Sequence, residues 1–129
     1  MSRLFRQIAW FVATGCAAAL THWAVAVLCV QKLDLAPLIA NFVGWLIAFG
    51  VSFAGHYHFT FKSQRGPWPE AARRFFGVSA LGFAVNELAY AYLLHATSVP
   101  YDLLLAMILI GLAILTFILG RFWAFRAAR

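Results

Sequence analysis

Four long apolar runs separated by short polar breaks occupy most of this 129-residue chain. They lie at about residues 8–30, 35–54, 75–95 and 101–119. Each is close to the roughly 20 residues that an α-helix needs to cross a hydrocarbon core of about 30 Å. Hydrophobic residues make up 64% of the chain and charged ones 11%, against about 45–50% and about 25% in a water-soluble domain. A soluble fold of this size has no interior large enough for that much apolar surface. The expected architecture is therefore an all-α membrane protein of four transmembrane helices, with residues 1–129 forming a single transmembrane domain. No room remains for a soluble catalytic domain. The chain also carries no metal-ligand spacing, nucleophile motif or phosphate-cradling glycine loop, so neither an enzyme nor a bound cofactor is expected. The first run is longer than the apolar part of a signal peptide and lacks an A-x-A-like cleavage site, so it reads as a retained helix. Cys16 and Cys29 both fall within it, which makes a disulfide framework implausible.

The breaks between the runs set the topology. Gln31–Asp34 and Thr97–Pro100 are short and imply tight helical hairpins. The polar segment from Lys62 to Arg74, with Gly66-Pro67-Trp68-Pro69 in its middle, is expected to be the one substantial loop. Nine of the ten Lys and Arg residues lie in the amino tail, this central loop and the carboxyl tail, and Lys32 alone lies on the other side. By the positive-inside rule both termini are expected in the cytoplasm. The net charge of +6 is thus a topology signal. Its spread over three membrane-proximal segments argues against nucleic acid as a partner.

The chain also carries an internal echo. At an offset of 64, Ser52-Phe53 pairs with Thr116-Phe117, and Phe59-Thr60-Phe61-Lys62 with Trp123-Ala124-Phe125-Arg126. At an offset of 67, Arg6 pairs with Arg73, Ala13 with Ala80 and Gly15 with Gly82. Two spans per unit return the chain to the same side. The expected organisation is two parallel-oriented two-helix repeats, at about 1–62 and about 70–129, unlike the inverted repeats of many transporters.

The segments Ser52-Phe53-Ala54-Gly55-His56-Tyr57-His58-Phe59-Thr60-Phe61 and Thr116-Phe117-Ile118-Leu119-Gly120-Arg121-Phe122-Trp123-Ala124-Phe125-Arg126 carry a resemblance over almost the whole chain. They are similar to the N-F-x-x-N-R-x-W-x-F-type endings of spans two and four in the GtrA-like family of small four-helix bacterial membrane proteins. The first departs from that pattern at Tyr57, where a base is expected, and at Phe59, where Trp is common; His56 and His58 can supply donors there. The resemblance implies a protein of the bacterial cytoplasmic (inner) membrane. It implies transport, or help with transport, of polyprenyl-phosphate-linked sugars of the undecaprenyl or decaprenyl type for cell-surface polysaccharide synthesis.

Two groups of residues are candidates for the chemistry. Glu87, with Asn86 beside it, falls near the middle of span three. An acid at that depth costs about 2.5–3.5 kcal/mol on insertion scales, normally faces the bundle interior, and often marks a pathway or a proton relay. The alternative is a structural hydrogen bond to another span, for which His22 in span one is the obvious partner. Asn41 enters span two about 6 residues from its outer end, roughly 9 Å deep, where inter-helix hydrogen bonding accounts for it. The second group is the basic rim of Arg121, Arg73, Arg74, Arg126, His56, His58, Lys62 and Arg6, interleaved with Tyr57, Phe59, Phe61, Phe75, Phe76, Phe122, Trp123 and Phe125. Arginine suits bidentate binding of a lipid phosphate, and aromatic rings prefer the headgroup level. Positive-inside charge and an aromatic belt also occur without any such ligand. His56 and His58, two residues apart, would not share a helix face, so no metal site is expected.

Small residues at Ala36, Ala40, Gly44, Ala48 and Ser52 recur every four positions in span two, and Ala106, Ala113 and Gly120 every seven in span four. Both stripes suit close helix packing, within the bundle or between protomers. Four short helices enclose little space, so carriage of a glycolipid would call for a homo-oligomer or a groove open to lipid. A small multidrug exporter would carry its acid in span one and lacks so one-sided a charge bias. A membrane adaptor for a glycosyltransferase complex is the other reading that the residues allow.

Overall fold

The structure, a computed structural model, describes residues 2–63 and 65–119. All regular structure among them is helical: α1 Arg3–Leu33, α2 Pro37–Gly55 continued by a π-helical turn His56–Thr60, α3 Trp68–Ala96 and α4 Tyr101–Leu119. Helix α1, α2 with its π turn, and α3 are each long and apolar enough to span a membrane, and the described apolar part of α4 is shorter, Tyr101–Leu115. The chain is an all-α membrane protein.

The helix ends follow from local chemistry. Ser2 caps α1, its hydroxyl accepting from the Phe5 amide at 3.1 Å. At the far end Asp34 takes a left-handed conformation (φ 55°) and the Leu35 amide returns to the Cys29 carbonyl at 3.2 Å. Pro37 then opens α2 at the position where a missing N–H costs nothing. Thr97 closes α3 by bonding the Leu93 carbonyl through its hydroxyl (2.7 Å) and its amide (3.0 Å).

One expectation is extended and one is corrected. Helix α1 exceeds the apolar run at both ends, because hydropathy registers only the hydrocarbon-facing part of a helix and the backbone stays helical into the interface. The expected loop from Lys62 to Arg74 is non-helical only as far as Pro67: α3 already begins at Trp68, seven residues before the apolar run starts. Pro69 sits in the first turn, where proline is well tolerated and starts the helix instead of breaking it.

The four helices form two hairpins, α1–α2 and α3–α4, whose short connections lie at one end of the bundle. The core clusters there, around Ala26, Cys29, Ala40, Tyr90, Leu104 and Leu105. Trp23 donates its ring N–H to the Asp102 carbonyl (2.9 Å) and Tyr90 its hydroxyl to the Tyr101 carbonyl (3.1 Å), tying α1 and α3 to α4. Between α1 and α2 the backbones approach closely. A Cβ on Gly44 would stand 2.6 Å from the His22 carbonyl oxygen, and one on Gly55 would stand 2.7 Å from Thr14 Oγ1. In the α2 stripe Ala40, Gly44 and Ala48 are buried while Ala36 is exposed; in α4 Ala106 is half-buried, Ala113 is exposed, and Gly120 lies outside the described residues. Large apolar side chains such as Leu20, Leu81, Leu88 and Ile110 are mostly exposed, as suits a surface whose solvent is lipid.

Candidate functional site

The intramembrane polar residues come together at one point where α1, α2 and α3 meet. Asn41 is its centre. Its side-chain oxygen accepts from His22 Nε2 at 2.6 Å, and its amide nitrogen donates to Asn86 Oδ1 at 2.7 Å and to Glu87 Oε1 at 3.2 Å. With the amide so oriented, His22 Nε2 carries its proton. Asn41 is fully buried, and His22 and Asn86 nearly so. Glu87 is only half-buried and stands at the margin of the group. The direct partner of Glu87 is therefore Asn41, which intervenes between it and His22. Gly44, one turn along α2 from Asn41, supplies the close approach that brings α1 near enough for the His22 bond.

The basic end is built around the π turn. One extra residue in this turn leaves the Phe61 amide bonded to the His56 carbonyl (2.8 Å), and the Thr60 carbonyl accepts from Gln7 Nε2 of α1 (3.2 Å). The two histidines diverge, as their spacing required. His56 is buried, with Nδ1 3.0 Å from Thr60 Oγ1 and its ring on Phe11. His58 is exposed, 3.5 Å from the Arg65 guanidinium. Phe59 stacks on Trp10 at 4.5 Å and Phe61 leans on the His56 ring at 5.9 Å. Arg73 and Arg74, about three-quarters exposed, both pair with Glu70, at 3.2 and 3.1 Å. Lys62 and Arg6 are exposed. Arg121, Arg126, Phe122, Trp123 and Phe125 lie outside the described residues.

Between the π turn and the start of α3 lies a cavity of about 360 Å³. Phe53, Phe75, Tyr57 and His56 line it, and its polar part holds Arg65 together with Arg74 and the Glu70 carboxylate that pairs with Arg74. Arg65 is the residue that sequence reasoning missed. It counted there only as a topology charge, yet it lies back against the π turn, its guanidinium 4.6 Å over the Tyr57 ring and bonded to the Tyr57 carbonyl at 3.2 Å. Tyr57 in turn donates its hydroxyl to the Gly66 carbonyl at 2.9 Å. Guanidinium donors beside an aromatic, largely apolar wall suit an amphipathic guest with an anionic head. Among the described residues no group of three or more His, Cys, Asp or Glu side chains is placed to hold a metal ion.

A family model described as GtrA/DPMS, transmembrane domain, matches residues 10–125. No curated protein and no solved structure matches the chain. The match covers most of the sequence; it contains the first aromatic–basic segment whole and the second as far as Phe125. The chain belongs to the GtrA/DPMS transmembrane-domain family.

Proposed function

We propose that this protein is a membrane carrier, or flippase, for polyprenyl phosphate or its sugar-linked form, serving cell-surface polysaccharide synthesis in a bacterial inner membrane. The coarse part of that statement, a membrane protein of glycosyl-lipid pathways, comes with the family. The observation that carries the rest is the cavity at the basic end, where Arg65 and Arg74 stand beside rings in a chain surrounded by lipid. A lipid phosphate is anionic at one end and apolar along its length, and this cavity offers a complement to both. With the basic end in the cytoplasm, as the charge bias favours, the lipid enters where its sugar is attached. The half-exposed carboxyl of Glu87, deep in α3, gives the path a polar group beyond the mouth.

The test is translocation of labelled polyprenyl phosphate in proteoliposomes. A contact between a charged donor and phosphate contributes about 1.5–3 kcal/mol. Arg65→Ala and Arg74→Ala should each therefore raise the half-saturating lipid concentration about tenfold. Wild-type protein that moves no polyprenyl phosphate, with or without its sugar, would end the carrier reading.

A further inference from the structure

Three side chains of fixed charge border the basic-end cavity: Arg65, Arg74 and Glu70. The two guanidinium groups are held in different ways. Arg65 lies over the Tyr57 ring and bonds the Tyr57 carbonyl, and among the described residues it pairs with no carboxylate. Arg74 pairs with Glu70, one turn before it on α3, Nη2 to Oε1 at 3.1 Å. Arg73 reaches the same oxygen at 3.2 Å from outside the cavity wall. The other carboxylate oxygen, Oε2, has no partner among the described residues.

Helix stability gives Glu70 little reason to be there. Its side chain is 50% exposed and those of Arg73 and Arg74 are 76% and 77% exposed, and ion pairs so exposed contribute little at i,i+3 and i,i+4 spacing. An acid in the first turn suits the positive end of a helix, but at such exposure salt screens that effect as well. The larger consequence of Glu70 is at the cavity. It occupies a donor that an anionic head would use, and its own charge borders the same space. Two positive groups and one negative leave the wall with one net positive charge. A singly charged phosphate balances that wall, whereas a doubly charged one leaves negative charge in excess beside aromatic rings that screen it poorly.

We propose that Glu70 is the specificity-determining residue of this cavity: it competes with a guest phosphate for Arg74, and it holds back a dianionic phosphomonoester more than a monoanionic phosphodiester. The proposal rests on the reading of the cavity as a lipid-phosphate site and adds the residue that discriminates between charge states of the head. One carboxylate repels a dianion about twice as strongly as a monoanion. Its removal should therefore improve binding of the dianion by about the square of the factor gained by the monoanion.

The experiment titrates polyprenyl phosphate and its methyl diester against purified protein in nanodiscs of zwitterionic phospholipid. At about pH 8 the monoester carries close to two charges, and native mass spectrometry reads the bound fraction. Glu70→Gln should tighten the diester about threefold and the monoester about tenfold. Glu70→Asp keeps the charge and should stay within about twofold of wild type for both lipids. Asp34→Asn makes the same change in net charge at the far end of the α1–α2 hairpin, roughly 24 Å along α2 from the cavity. Asp34 is exposed and left-handed, a conformation that asparagine also adopts, so this variant should alter neither affinity. Equal tightening of both lipids by Glu70→Gln, no change, or weaker binding of either would overturn the proposal and leave the carrier reading standing. So would the same gains in Asp34→Asn or in Glu70→Asp. Wild-type protein that binds neither lipid would remove both.

Discussion

Asn41 holds three side chains from two other helices with a single amide, so its loss is felt by all of them. Hydrogen bonds between membrane helices average about 0.6 kcal/mol each, but His22 and Asn86 would be left buried without their partner. Asn41→Ala should therefore lower unfolding stability in detergent by about 2 kcal/mol, measured by chemical denaturation. Glu87→Gln is a different case, because an amide oxygen can still accept from Asn41. It should stay within about 0.5 kcal/mol of wild type while slowing translocation several-fold. Retained transport in Glu87→Gln would assign the carboxyl to structure alone. Glu87, Asn86, Asn41 and His22 were legible in the sequence because polar side chains in an apolar run have few reasons to be there. Arg65 was not. A base in a loop is what any membrane protein contains, and only its place over the Tyr57 ring sets this one apart.

At the scale of the helix, the same residue type has opposite consequences on different faces. A Cβ at Gly44 meets the His22 backbone, so Gly44→Ala should cost about 1–3 kcal/mol as α1 is forced away. Gly50, Gly82 and Gly111 have no neighbour within 4 Å of an added Cβ. Alanine there should be neutral or stabilising by up to about 1 kcal/mol through helix propensity, read as thermal unfolding in detergent. The four-residue repeat of small side chains is enough to mark α2 as a packing helix, but it carries no information on which neighbour the stripe faces; the contacts of Gly44 and Gly55 identify that neighbour as α1. The spans were legible for a similar reason, since hydropathy reports the solvent of each segment. Their ends were less so: the first turns of α3 and the last turn of α1 are polar, and the π turn at His56–Thr60 has no hydropathy signature.

On the scale of the whole molecule, the core of the bundle lies at the end with the short connections. We propose that residues about 1–62 and about 70–129 are parallel repeats with the basic end in the cytoplasm. A single cysteine replacing Lys62, in a chain whose Cys16 and Cys29 are changed to Ser, should react with a membrane-impermeant thiol reagent only after the cells are opened. One replacing Asp34 should react in intact cells whose outer barrier is permeable. The reverse pattern would invert the proposed topology. Homo-oligomer formation and a glycosyltransferase partner are open proposals of the same scale. They bear on whether the basic-end cavity serves a lipid or a neighbouring protein. Native mass spectrometry of the protein released from its own membrane in mild detergent addresses that question directly. Enrichment of polyprenyl phosphate or its glycoside, lost in the Arg65→Ala, Arg74→Ala double variant, is the result the carrier account predicts. Bulk phospholipid alone, with a glycosyltransferase retained in its place, would contradict it and make the protein an adaptor.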